Sequence, residues 1–224
     1  MSGLIAAIGG GGFDSANPSP HMDEWFLSLT GAPRPRLTLI PTATADSPDR
    51  IGRFIEAAKE FGVDPFVLSL YWPESRDDLK RAMEADAIFV TGGNTFNMIG
   101  LWQLWGLDHL LYEAHQRGVL LGGVSAGANC WFEQCSTDSF GRALEVIPGM
   151  GWIPGSFCPH YHGEEERRPT LGRFLASGEL KPGWAADDMA ALVISPDGTK
   201  SSFSFADDSE VFSVSAVEGV FVGW

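Results

Sequence analysis

Short runs punctuate the first half of this chain, apolar on successive residues instead of on alternate ones. Residues 3–8 stop at four glycines, 36–40 at Pro41, 87–90 at Thr91-Gly92-Gly93-Asn94, and 119–122 runs on toward Ser125. A strand apolar on both sides is covered on both faces. Helical periodicity fills the gaps. Residues 19–30 carry Met22, Trp25, Phe26 and Leu29 on one face. Ser47-Pro48 opens a helix with proline in its favoured first position, and Gly62 closes it. Residues 66–71 read as a strand, 74–85 as a polar helix, and 95–117 as helical material broken at Gly106. Strand and helix in alternation predict an α/β fold with a mostly parallel sheet and helices on both faces.

The last forty residues differ. Residues 190–194, 202–205, 210–214 and 219–222 are short strands separated by turns such as Ser195-Pro196-Asp197-Gly198, and predict antiparallel hairpins on the sheet edge. With no repeat, linker or low-complexity tract, residues 1–224 read as one domain. Fifteen basic residues against 29 acidic ones give a net charge of −14, which repels nucleic acid and anionic lipid. The N-terminus lacks the basic region of a secretion signal, and no segment reaches the roughly 18 apolar residues of a membrane helix. Cytoplasmic residence is therefore the expectation. The cysteines, Cys130, Cys135 and Cys158, are odd in number and lack C-x-x-C spacing, so they read as free thiols.

One segment carries chemistry. Residues 122–132 read GGVSAGANCWF, with G-x-S-x-G at 123–127 directly after an apolar strand. A strand, a sharp turn and a helix lift such a serine above the sheet, and flanking side chains must be small to permit it. Gly123, Ala126, Gly127 and Ala128 meet that demand. Ser125 is then the candidate nucleophile, at the strand end where open α/β sheets bind ligands. The Ala126 N–H opens the helix and faces any oxyanion formed there. The bland alternative is a tight turn that needs small residues only for packing.

A nucleophilic serine needs a base and an acid to orient it. Of five histidines, His109 and His115 lie on a polar helix, and His21 is a weak candidate. His160, stiffened by Pro159, is the preferred base; a metal pair of His160 with His162 lacks a third ligand. No metal or organic cofactor is expected. Two acids remain open, Asp188 at the start of an apolar strand and Asp138 in a polar turn. The Gly92-Gly93 turn after 87–90 supplies a second oxyanion donor. Phosphate binding is the rival for such turns, but neither glycine run matches a nucleotide motif.

Several segments together resemble the S51 serine peptidases, the group of peptidase E (aspartyl dipeptidase) and cyanophycinase. They are GGNTF at 92–96, SAGAN at 125–129, PHY at 159–161 and GEEERR at 163–168. The resemblance implies a fold related to class I glutamine amidotransferases, with serine in place of cysteine. It implies Ser125 as nucleophile, His160 as base and an oxyanion role for the Gly93 N–H, and it leaves Asp138 and Asp188 both open. Asn94, Glu166 and Arg167 are the expected substrate contacts. Aspartyl-specific members carry an arginine where this chain has Glu166, which puts aspartyl specificity in doubt. The expected activity is hydrolysis of dipeptides or short peptides through an acyl-enzyme, by a protein that leaves room for a homodimer. The rivals are an α/β-hydrolase-type esterase and a non-catalytic amidotransferase-like binding protein.

Overall fold

The apolar runs become strands in a computed structural model of the protein, which describes residues 2–13, 19–217 and 220–223. Ile5–Ile8 (β1), Leu37–Ile40 (β2), Phe66–Val67 (β3), Ala87–Val90 (β4) and Leu120–Val124 (β5) pair in parallel. Ala190–Ile194 (β10) and Lys200–Ser204 (β11) extend the sheet as an antiparallel hairpin on β1. The order is β11-β10-β1-β5-β4-β2-β3.

Successive side chains in a strand point to opposite faces, and each face has its helices. Ala6, Ile8, Leu39 and Phe89 pack with Met22 and Phe26 of Pro20–Ser28 (α1) and Phe54 and Ala58 of Pro48–Glu60 (α2). Their neighbours Ala7, Ile40, Ile88 and Leu121 pack against Met98 and Trp102 of Thr95–Trp105 (α4) and Leu111 of Leu107–Gln116 (α5). Each large apolar side chain fully buried in this way contributes about 1.5–3 kcal/mol. Gly106, at φ 67°, turns α4 into α5. The short Asp77–Ala82 helix (α3) is all that forms of the expected 74–85 helix, and residues 66–71 pair only at 66–67.

A second sheet corrects the expectation of one mostly parallel sheet. Phe132–Thr137 (β6), Glu145–Pro148 (β7), Ile153–Cys158 (β8), Gly183–Ala186 (β9), Val211–Val217 (β12) and Val220–Gly223 (β13) form six strands ordered β13-β12-β9-β8-β6-β7. Only the β6–β8–β9 core is parallel. The strands expected at 210–214 and 219–222 therefore lie here and not on the edge of the first sheet; Gly219 is outside the described residues. Phe132, Ile153, Phe157 and Ala186 on one face share the α4/α5 core. Arg167–Ser177 (α7) covers the other through Leu171 and Leu175 against Cys158 and Ala185. Among the described residues no helix is long and apolar enough to cross a membrane.

Candidate active site

β5 ends in a turn that the sequence around it makes possible. Ser125 sits at φ 55°, ψ −108°, a conformation L-residues rarely adopt and one that costs of order 1–3 kcal/mol. Three backbone hydrogen bonds hold it there. Its N–H donates to the Ile8 carbonyl at 3.0 Å, and its own carbonyl accepts from Ala128 N at 3.0 Å and Asn129 N at 2.9 Å. The short Ala126–Asn129 helix (α6) then lies on β4 so closely that side chains are excluded. A Cβ on Gly127 would collide with the Val90 carbonyl oxygen, and one on Gly123 would lie 2.6 Å from the same atom. Packing thus enforces the strained turn.

The candidate base comes from the second sheet. β8 runs into Pro159 and His160, and His160 is turned by its own left-handed backbone, φ 52°. It lies in a turn, not on the strand that a metal pair with His162 would need. Its Nδ1 is 2.5 Å from Asp188 Oδ1. Asp188 is delivered by the link from β9 to β10, where Met189 is also left-handed at φ 63°. The His160 hydrogen bond holds the Asp188 carboxyl below the usual aspartate range; burial opposes this, and the charges of His160 and Arg167 assist. With Nδ1–H donated to the carboxylate, the neutral ring leaves Nε2 as its proton acceptor.

The residues after β1 join the two halves. Ile8 accepts the Ser125 N–H, and two residues on Gly10 bridges to Asp188 and accepts the Met189 N–H at 2.9 Å. A side chain on Gly10 would strike Asp188 Oδ1 and come within 2.8 Å of His160 Nδ1. Two residues of chain span at most about 7 Å, so serine turn and imidazole–carboxylate pair flank one short backbone segment at the carboxyl end of the sheet. On the far side of Ser125, Gly93 follows β4 at φ 136°, where a side chain would collide with Ala43 O of the Thr42–Thr44 turn.

The other expected residues fall as follows. Asp138 is exposed in the turn after β6, and its carbonyl accepts the Gly141 N–H; the acid bonded to His160 is Asp188. Asn94 uses its side chain locally: Oδ1 caps α4 by accepting from Asn97 N at 2.8 Å, and Nδ2 donates to Ser139 O at 2.8 Å. Glu166 is exposed at the start of α7. Arg167 is buried, with Nε donating to Glu164 Oε2 at 2.6 Å and Nη1 to the Ser136 carbonyl at 3.4 Å, so it ties the histidine turn to β6 and faces inward.

Two features went unread in the sequence. Asp187 is buried and accepts from His162 N at 3.0 Å, His162 Nδ1 at 2.9 Å and Glu210 N at 3.2 Å. This second imidazole–carboxylate pair locks the turn that carries His160. The paired spacing of H-x-H and D-D was the available signal. The need for a bare backbone at Gly10 was the other, hidden inside a run of four glycines. The three thiols are buried. Burial pushes Cys130 well above the ordinary range, Cys135 up to about 12, and Cys158 upward. A depression of about 590 Å³ lined by Arg36, Asp86 and Arg117 lies at the amino end of the parallel strands, away from this edge.

The model of the family described as Peptidase family S51 matches residues 5–201. The chain is 45% identical over 188 residues to the uncharacterized peptidase YgaJ of Bacillus subtilis, covering 84% of this chain and 81% of that protein. It is 31% identical over 155 residues to peptidase E of Streptomyces coelicolor, covering 65% of this chain and 62% of that one. A crystal structure of a peptidase from an acI-B1 Actinobacterium superposes with a TM-score of 0.72 at 21% identity, over 100% of this chain and 94% of that one, a likeness of fold. On these matches, the chain belongs to peptidase family S51.

Proposed function

We propose that the protein is a serine peptidase that hydrolyses dipeptides and very short peptides, with Ser125, His160 and Asp188 as its triad. The observation that carries this is the left-handed Ser125 turn, bonded to Ile8, set across Gly10 from the His160–Asp188 pair. His160 Nε2 takes the proton from Ser125 Oγ as that oxygen attacks the substrate carbonyl. Asp188 keeps the proton of Nδ1 in place and stabilises the imidazolium. The Gly93 and Ala126 N–H groups receive the developing oxyanion; Ala126 is the first residue of its helix, so its N–H stands outside the i→i−4 ladder. His160 then protonates the leaving amine, and the acyl-enzyme forms. Water, deprotonated by His160, attacks the ester; the tetrahedral adduct collapses, Ser125 regains its proton and the acid leaves.

The choice of short peptides rests on the similarity to proteins named peptidase E. We place the fold with the class I glutamine amidotransferases, serine standing for cysteine, and the enzyme in the cytoplasm, where buried free thiols persist reduced. A dipeptide library read by mass spectrometry tests the reading. Turnover by the wild type, absent in Ser125→Ala, is the expected result. Equal turnover by the two proteins, or a wild type active on esters and inert to every peptide, overturns it.

A further inference from the structure

The route from β2 to α2 brings a cation to the same edge. β2 ends at Pro41, and after the Thr42–Thr44 turn two left-handed residues, Ala45 at φ 52° and Asp46 at φ 55°, redirect the chain. Asp46 fixes that reversal by accepting from Ser69 Oγ at 2.5 Å and Tyr71 N at 3.0 Å. α2 therefore starts at the carboxyl end of the sheet, with Arg50 in its first turn. Its guanidinium reaches the glycine turn after β4. Arg50 Nη2 lies 3.8 Å, and Ser125 Cβ 3.2 Å, from the point where a side chain on Gly92 would begin. Gly92, unlike Gly93, is not in the left-handed region, so its backbone does not demand glycine. What its missing side chain leaves is a gap between a guanidinium and the nucleophile.

We propose that Arg50 receives the C-terminal carboxylate of a dipeptide substrate, an assignment that rests on the peptidase reading above. In a dipeptide the carboxylate stands one residue beyond the attacked carbonyl, about one Cα–Cα step of 3.8 Å. A cation beside Ser125 is therefore at the right range for it. Guanidinium matches carboxylate geometry through paired N–H donors and stays charged at any working pH. Its five donors serve more than one acceptor, so the interaction Arg50 already makes is compatible with a second. The setting favours such a group. The chain carries −14 overall, and Glu164, Glu165, Glu166 and Asp188 crowd the histidine turn. The nearby Arg167 is buried on Glu164. A longer peptide places a neutral amide where the carboxylate belongs, so Arg50 also sets the length preference.

The test compares a dipeptide with its C-terminal amide, and an N-terminal Asp residue with Asn, in wild type, Arg50→Met and Arg50→Lys. The wild type should favour the free carboxylate over the amide by roughly 10- to 100-fold in kcat/KM, the scale of a hydrogen bond to a charged group. Arg50→Met should bring that ratio close to one, and Arg50→Lys should retain part of it. A ratio taken within one variant is insensitive to partial loss of fold. Should Arg50→Met abolish turnover, the same ratio is read as calorimetric binding to Ser125→Ala with and without the substitution. A wild type that treats acid and amide alike, an Arg50→Met ratio equal to wild type, or a loss confined to the Asp/Asn comparison overturns the assignment alone. A wild type inert to all peptides overturns the peptidase reading with it.

Discussion

Around Ser125 the chain is held by shape, whereas around His160 it is held by charge. The serine turn depends on bare backbone: Gly123 and Gly127 press on Val90. The histidine turn depends on carboxylates: Asp188 on His160, Asp187 on His162, Glu164 on Arg167. A close-packed turn fails when volume is added. A charge-held turn fails when a proton or a partner is changed. The two halves should therefore break under different perturbations.

The largest effect is expected in the shape-held half. Ser125→Ala should lower kcat by about 10⁶-fold while the fold persists, as loss of such a nucleophile does; single-turnover assays and a thermal melt check both parts. Next comes the charge-held half. Asp188→Asn should cost about 10⁴-fold in kcat by releasing the wrong imidazole tautomer, whereas Asp138→Asn should change it by less than about threefold, the scale of an exposed surface substitution. Equal losses would erase the distinction between them.

Volume separates the halves in stability. Gly127→Ala drives a Cβ into the Val90 carbonyl and should destabilise by about 1–3 kcal/mol, read as a denaturant midpoint. Gly163→Ala first meets the Asp188 side chain, at 2.8 Å from Oδ2, and should cost less than about 1 kcal/mol because a half-exposed side chain can move. The smallest effect is in pH. Asp188 is lowered in the folded state by His160, so its contribution is full above the unfolded value of about 3.9 and is lost as pH falls through the lower folded value. Half-exposed, it contributes well under about 1 kcal/mol. The stability gap between wild type and Asp188→Asn should hold at neutral pH and shrink below about pH 4; a gap that grows on acidification contradicts the assignment.

Legibility followed the same division. The inner strands of the first sheet were readable because they are buried on both faces, and an uninterrupted apolar run such as 87–90 has few other readings. The serine turn was readable because sterics demand small residues at fixed spacing. The second sheet was not. Strands such as β6, FEQCST, and β8, IPGSFC, mix polar, glycine and proline positions, and they form because α7 and the α4/α5 core cover them. Tertiary burial there overrides weak local preference. Asp138 stayed open beside Asp188 in the sequence for a related reason. What selects the acid is a link between β9 and β10 lying against Gly10, some 178 residues earlier in the chain, and no local pattern records that approach.

The depth at which Cys130, Cys135 and Cys158 are held has a practical outcome. Alkylating and oxidising agents attack the thiolate, and these three sulfurs are kept protonated and out of reach. Iodoacetamide should leave the native enzyme untouched. A single cysteine introduced at exposed Phe140 would then be the one reactive sulfur available to a fluorophore, reporting on the rim of the catalytic edge without any native cysteine being removed.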